Sequence, residues 1–144
     1  MPLSPQTIAL AVAAMLILAL ADFSIKQTGG KISPSLGALI YGAVAVLPPL
    51  VWVLWTRTQE PLMATRDGVL WSVVTGLSFG VFTGILFLLF SQGVNLSIGT
   101  PVIRMGGIIV AATLGIIVFR EGLNWQYLAG FALAVVGILL VVTR

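Results

Sequence analysis

The sequence predicts an all-α integral membrane protein with five transmembrane helices. Of its 144 residues, 59% are hydrophobic and only 8% are charged, whereas a soluble domain carries about 25% charged residues. The mean hydropathy of +1.15 agrees with this composition. The apolar residues form runs about as long as the roughly 20 residues that a helix needs to cross a bilayer. A water-soluble fold is therefore excluded, and the length fits one membrane domain.

Five apolar runs follow one another, separated by short polar segments. The first is followed by a loop with the helix breakers Gly29-Gly30 and Ser33-Pro34. The second contains Pro48-Pro49 and is expected to kink there, since proline has no backbone N–H. The predicted helices span approximately residues 8–25, 36–56, 69–90, 98–119 and 125–142.

The last two runs form a predicted helical hairpin from Thr100 to Arg144. Its turn is the polar segment Arg120-Glu121-Gly122-Leu123-Asn124. Charged residues are tolerated at a water interface, and Gly122 and Asn124 suit the end of one helix and the start of the next. We expect this turn at one surface of the membrane.

Two helices carry small residues at four-residue spacing, which lets helix backbones approach closely in membranes. We expect these residues to be helix-packing positions: Gly76, Gly80 and Gly84 in the third helix, and Gly130 and Ala134 in the fifth.

The composition excludes several functions. There is no Cys and no His, which removes thiol chemistry and the commonest general base and metal ligand. The seven basic residues form no patch, so nucleic-acid binding is not expected. The spans hold no paired carboxylates, no Ser-His pair and no phosphate-binding loop. We therefore expect no enzyme activity, no metal and no cofactor.

Asp22 and Arg104 are the main candidates for substrate binding or coupling. Asp22 is the carboxylate inside a predicted span, and ionisable groups there cost about 2.5–3.5 kcal/mol on insertion scales. It would bind a cation or proton; equally, it would reach water or pair with Lys26, one turn away. Arg104 would hold an anionic group, or extend to the interface or form a structural ion pair. The predicted topology places both toward the same membrane surface, so they would share one polar environment.

Three further residues are weaker candidates. Glu121, in the hairpin turn, would serve in coupling or gating, although the simpler interpretation is a charge that stabilises the dipole of the fifth helix. Tyr41 and Gln92 are polar groups that would face a cavity. Four tryptophans are interpreted as interface anchors rather than ligand contacts: Trp52, Trp55, Trp71 and Trp125.

The hairpin resembles the end of an EamA-type repeat of the drug/metabolite transporter superfamily. The resemblance rests on Gly106-Gly107, Gly115, the segment from Phe119 to Asn124, and the glycine-rich last helix. Lys26 after the first helix and the segment from Gln92 to Gly99 are also similar to that family. The resemblance implies one five-helix repeat, where most members hold two inverted repeats in one chain.

That resemblance implies a transporter of small organic solutes or metabolites that works by alternating access. It would be a multi-pass protein of a bacterial or archaeal cell membrane. Inverted repeats build a binding site at their interface, so a single repeat would need a partner. The alternative is a non-transporting subunit that assembles with or regulates a larger membrane complex.

Orientation in the membrane is not decided by charge. An odd number of spans puts the termini on opposite sides. One side has Arg57, Arg66 and Arg120. The other has Lys26, Lys31 and Arg144, plus Arg104 if its side chain reaches that interface. With three basic residues against three or four, charge indicates no clear orientation. We therefore predict insertion in both orientations and an antiparallel homodimer in the lipid bilayer. A parallel dimer or a heterodimer with an oppositely inserted paralogue are the alternatives.

Overall fold

The computed structural model describes residues 4–59, 61–120 and 124–143. Throughout these residues the regular secondary structure is α-helical, with no strand, as the sequence predicts. The helices are α1 (Pro5–Gln27), α2 (Pro34–Ala45), α3 (Leu47–Thr56), α4 (Arg66–Ser91), α5 (Leu96–Phe119) and α6 (Trp125–Val142).

Two helices begin three residues before the predicted apolar runs, because polar residues cap them. The Ser4 hydroxyl accepts a hydrogen bond from the Thr7 N–H at 3.2 Å, and Pro5 occupies the first turn of α1. The Thr65 hydroxyl accepts from the Gly68 N–H at 3.1 Å at the start of α4. Such caps satisfy N–H groups that have no partner within the helix.

The second predicted helix is interrupted by one residue at Val46, whose backbone angles stay helical (φ −73°, ψ −26°). Helix α2 ends at Ala45, Val46 forms a turn, and α3 begins at Leu47. In an α-helix the N–H groups of residues 48 and 49 would donate to the carbonyls of residues 44 and 45. Pro48 and Pro49 have no N–H to donate. The break therefore falls just before the prolines, near the middle of the 23-residue segment Pro34–Thr56.

Among the residues that the structure describes, four segments are long and apolar enough to cross a membrane: Pro5–Gln27, Pro34–Thr56, Arg66–Ser91 and Leu96–Val118. Helix α6 has 18 residues, and its strongly apolar part, Leu128–Val141, is shorter than a full span. Four of the five predicted spans thus have the required length, while a crossing by α6 stays a prediction.

The chain divides into two compact units, residues 1–93 and 94–144. In the first unit, α1 and α2 both pack against α4, and α3 follows α2. In the second unit, α5 and α6 pack against each other, as expected for a hairpin. Helix α5 ends at Phe119, and the following residue, Arg120, has a left-handed conformation (φ 52°) and donates its N–H to the Gly115 carbonyl.

The tightly packed part of the first unit lies at one end of its helices. Ile25 of α1 and Leu86, Phe87 and Phe90 of α4 are buried there. The following loop closes on the same end, where a Cβ atom added to Gly29 would lie 3.3 Å from the Phe90 carbonyl oxygen. Elsewhere large apolar side chains are exposed, as lipid-facing residues are expected to be.

The exposed hydroxyl groups of α4 are satisfied within the helix. Ser72, Thr75 and Ser78 each donate a hydrogen bond of 2.8–2.9 Å to the carbonyl of the residue four positions earlier. Thr113 of α5 does the same. These helices consequently carry polar residues without presenting unsatisfied donors to lipid.

Candidate functional site

Asp22 lies in the small core of the first unit. Its side chain is 3% exposed, and Ile25, one turn further along α1, is also buried. On α4 the buried residues are Thr83, Leu86, Phe87 and Phe90, which share one helix face. Since α1 packs on α4, these two buried faces bring Asp22 into the contact region. Asp22 is not without a partner in the protein, and its burial places it in the core of this unit.

Lys26 follows Asp22 by one turn and reaches α4 directly. Its Nζ atom lies 5.8 Å from the centre of the Phe90 ring, within the range of a cation–π interaction. Phe90 is 2% exposed. The end of the first unit therefore combines a buried carboxylate, a lysine ammonium and a buried aromatic ring, which link α1 to α4.

A cleft of about 450 Å³ lies beside this region. Its walls come from the last turns of α1, from α2 as far as the break, and from Phe87 of α4. Cavities of a few hundred Å³ are typical of ligand sites. The lining is almost entirely apolar, and it includes Ile25, Gly37, Ile40, Tyr41, Val44 and Pro48.

Two of the weaker candidates also belong to the first unit. Tyr41 lines the cleft and is half-exposed, so the prediction that it faces a cavity is consistent with its position. Gln92 instead caps the end of α4, where its backbone N–H is directed to the carbonyls of Leu88 and Phe90, and its side chain is exposed. Gln92 is not among the residues that line the cleft.

The remaining candidates do not join this site. Arg104 lies on α5 and is half-buried, in the second unit. Glu121 lies outside the described residues. Because Asp22 and Arg104 belong to separate units, their shared polar environment stays a prediction.

The glycine faces meet no close neighbour within the described part of the chain. A Cβ atom added to Gly76, Gly80, Gly84 or Gly130 would have no side-chain or neighbouring-helix atom within 4 Å. Ala134, one turn after Gly130, is half-buried. Close helix packing at these glycines stays a prediction.

Among the glycines that the structure describes, Gly37 is packed most closely, and the sequence did not predict this. A Cβ atom added to Gly37 would lie 2.6 Å from Cε1 of Phe87, which is closer than real Cβ contacts. This contact joins α2 to α4 and forms one wall of the cleft. Gly37 follows Ser33 at four-residue spacing, but Ser33 is the N-cap of α2 and the residue four positions later is Tyr41. No small residue inside the helix therefore pairs with Gly37 at this spacing.

Comparison of the chain with protein-family models, with curated proteins and with solved structures finds no match.

Proposed function

We propose that the chain is a multi-pass protein of a bacterial or archaeal cell membrane that transports small organic solutes. The break at Val46 carries this proposal. It interrupts an apolar segment of 23 residues near its middle. Transporters commonly build their sites near the bilayer midplane at interrupted helices. At Val46 the interruption is the loss of backbone hydrogen bonds caused by Pro48 and Pro49, while the backbone itself stays helical. Asp22, buried on the neighbouring helix α1, supplies a charged group that a lipid-facing helix would not retain without a role.

The proposed working unit is an antiparallel dimer of five-span repeats that operates by alternating access. Three features support it: the similar basic charge on the two sides, the odd number of predicted spans and the resemblance to EamA-type repeats. The open glycine faces of α4 and α6 offer surfaces on which a second copy would pack closely. In this arrangement Arg104 and Glu121 of one copy, with Asp22, Tyr41 and Gln92, are the candidates for contact with the solute or coupling ion.

Transport is tested with the purified full-length chain in liposomes and a panel of radiolabelled metabolites. We expect time-dependent uptake of at least one solute, and a loss of about tenfold or more in rate for Asp22→Asn, equivalent to about 1.4 kcal/mol. Asp67→Asn is the matched control, since Asp67 is exposed in the first turn of α4. Uptake of no solute, with protein correctly folded by circular dichroism, would instead make the chain a non-transporting subunit.

Membrane orientation is tested separately with two C-terminal fusions, one reporter active only in the cytoplasm and one only outside. Dual insertion predicts comparable signals from both. Adding one lysine to either loop should shift the ratio, because the present bias is close to zero. A strong signal from one reporter alone, with no oppositely inserted partner co-purifying, would rule out the inverted pair.

A further inference from the structure

We propose that the cleft of the first unit binds one acyl chain of an anionic phospholipid, with the lipid phosphate beside Lys26 and Lys31. This inference requires only that the first unit is embedded in a bilayer, and it is independent of transport. Its evidence is the length of the cleft, the chemistry of its lining and the charge at its mouth.

The cleft has the length of one lipid leaflet. It begins at the loop residue Ile32 and at Gly37, and it follows α2 to Pro48. Eleven residue steps separate Gly37 from Pro48, so the wall is roughly 16 Å long at 1.5 Å per residue. Half of the roughly 30 Å hydrocarbon core is about 15 Å. The cleft therefore reaches from the interface to the middle of the bilayer, the same depth as an acyl chain.

The lining suits a hydrocarbon chain and not a hydrated solute. Ser24 and Thr28 contribute the hydroxyl groups on the α1 side of the cleft. Both hydroxyls donate to backbone carbonyls of their own segment, Ser24 to Leu20 at 2.8 Å and Thr28 to Ile25 at 2.7 Å. A polar ligand would lose its hydrogen bonds with water and gain few in return. An acyl chain has no hydrogen bonds to lose.

The mouth of the cleft is positively charged. Lys31 directly precedes the lining residue Ile32, and Lys26 lies between the lining residues Ile25 and Thr28. The segment 26–33 contains no carboxylate, and the nearest one along the chain, Asp22, is buried one turn before Lys26. A lipid whose chain fills the cleft would place its headgroup at this end. Basic residues at this depth attract anionic headgroups, which selects phosphatidylglycerol over the zwitterionic phosphatidylcholine.

Native mass spectrometry of the delipidated full-length chain, titrated with dioleoyl phosphatidylglycerol or dioleoyl phosphatidylcholine, tests the proposal. We expect one tightly retained phosphatidylglycerol, half-saturating at about a thirtyfold lower concentration than phosphatidylcholine, the factor for two lysines at about 1 kcal/mol each. Lys31→Glu should remove this preference. Arg57→Glu, the matched charge change after α3, should keep it.

A second pair of variants tests the position of the chain. Ala45→Trp fills the cleft and should abolish the tight lipid, whereas Ala43→Trp, on the same helix but outside the lining, should not. Ile40→Phe and Leu39→Phe form a milder pair if the tryptophans impair folding. Equal retention of both lipids, or equal binding by the two members of each pair, would overturn the proposal. So would an Ala45→Trp protein that keeps its lipid but loses its dimer, which would assign the cleft to a second copy.

Discussion

The contact between Gly37 and Phe87 gives a prediction whose size follows from the structure. Gly42 lies on the same helix, and a Cβ atom there would meet no neighbouring atom within 4 Å. Gly42→Ala should stabilise the protein by up to about 1 kcal/mol, since alanine favours a helix over glycine. Gly37→Ala has the same helical gain, but its Cβ would lie 2.6 and 2.8 Å from Cε1 and Cδ1 of Phe87.

The Phe87 ring borders the cleft, yet it must shift before a Cβ atom at position 37 can fit. It is 7% exposed and belongs to the buried face of α4, and overpacking of such a site costs about 1–3 kcal/mol. Gly37→Ala should therefore be less stable than Gly42→Ala by about 1–3 kcal/mol. The measurement is the free energy of unfolding in mixed detergent micelles, titrated with sodium dodecyl sulfate and followed by circular dichroism.

A third variant identifies the cause. In a Phe87→Leu background the ring atoms are absent, so the difference between the two alanine variants should fall below about 0.5 kcal/mol, the range of independent sites. If Gly37→Ala is as stable as Gly42→Ala in the native background, the close packing of α2 on α4 is refuted.

Two further predictions concern association and charge. Gly80→Leu should lower the dimer fraction in detergent at least several-fold and leave monomer stability unchanged, because a Cβ atom at Gly80 meets no neighbouring atom within 4 Å. The control Val81→Leu, one residue further, should change neither quantity. An unaltered dimer fraction in Gly80→Leu would refute packing through this face. From the sequence topology, Asp22→Asn and Arg104→Gln should show a coupling energy of about 0.5–3 kcal/mol in a double-mutant cycle of stability or uptake, whereas simple additivity would mean that the two groups do not interact.

The sequence predicted the helical class and the long apolar segments because these depend on local composition. A run of apolar residues is helical in lipid whatever its neighbours, since its backbone groups must bond to one another. The helix ends were displaced by a few residues where hydroxyl caps extend the helix beyond the apolar run, as at Ser4 and Thr65. Pro48 and Pro49 predicted that the second span is interrupted near their position, although the interruption itself falls at Val46.

The packing of the helices was much harder to predict. In water, the apolar face of a helix marks its buried side, but a membrane helix is apolar on every face and that signal disappears. The buried positions of Phe87 and Phe90 therefore resemble the exposed position of Phe79 in the sequence. The cleft could not be predicted for the same reason, because it is formed where Gly37 of one helix packs against Phe87 of another.

The hydroxyl groups of α4 have a consequence for biogenesis. Ser72, Thr75 and Ser78 complete their hydrogen bonds inside their own helix, so α4 needs no partner before it leaves the translocation machinery. Helices that are stable alone in lipid can insert first and associate afterwards. Helix α4 can thus be stable in the bilayer as a single inserted helix. Both α1 and α2 pack against α4, so these two helices can associate with it afterwards.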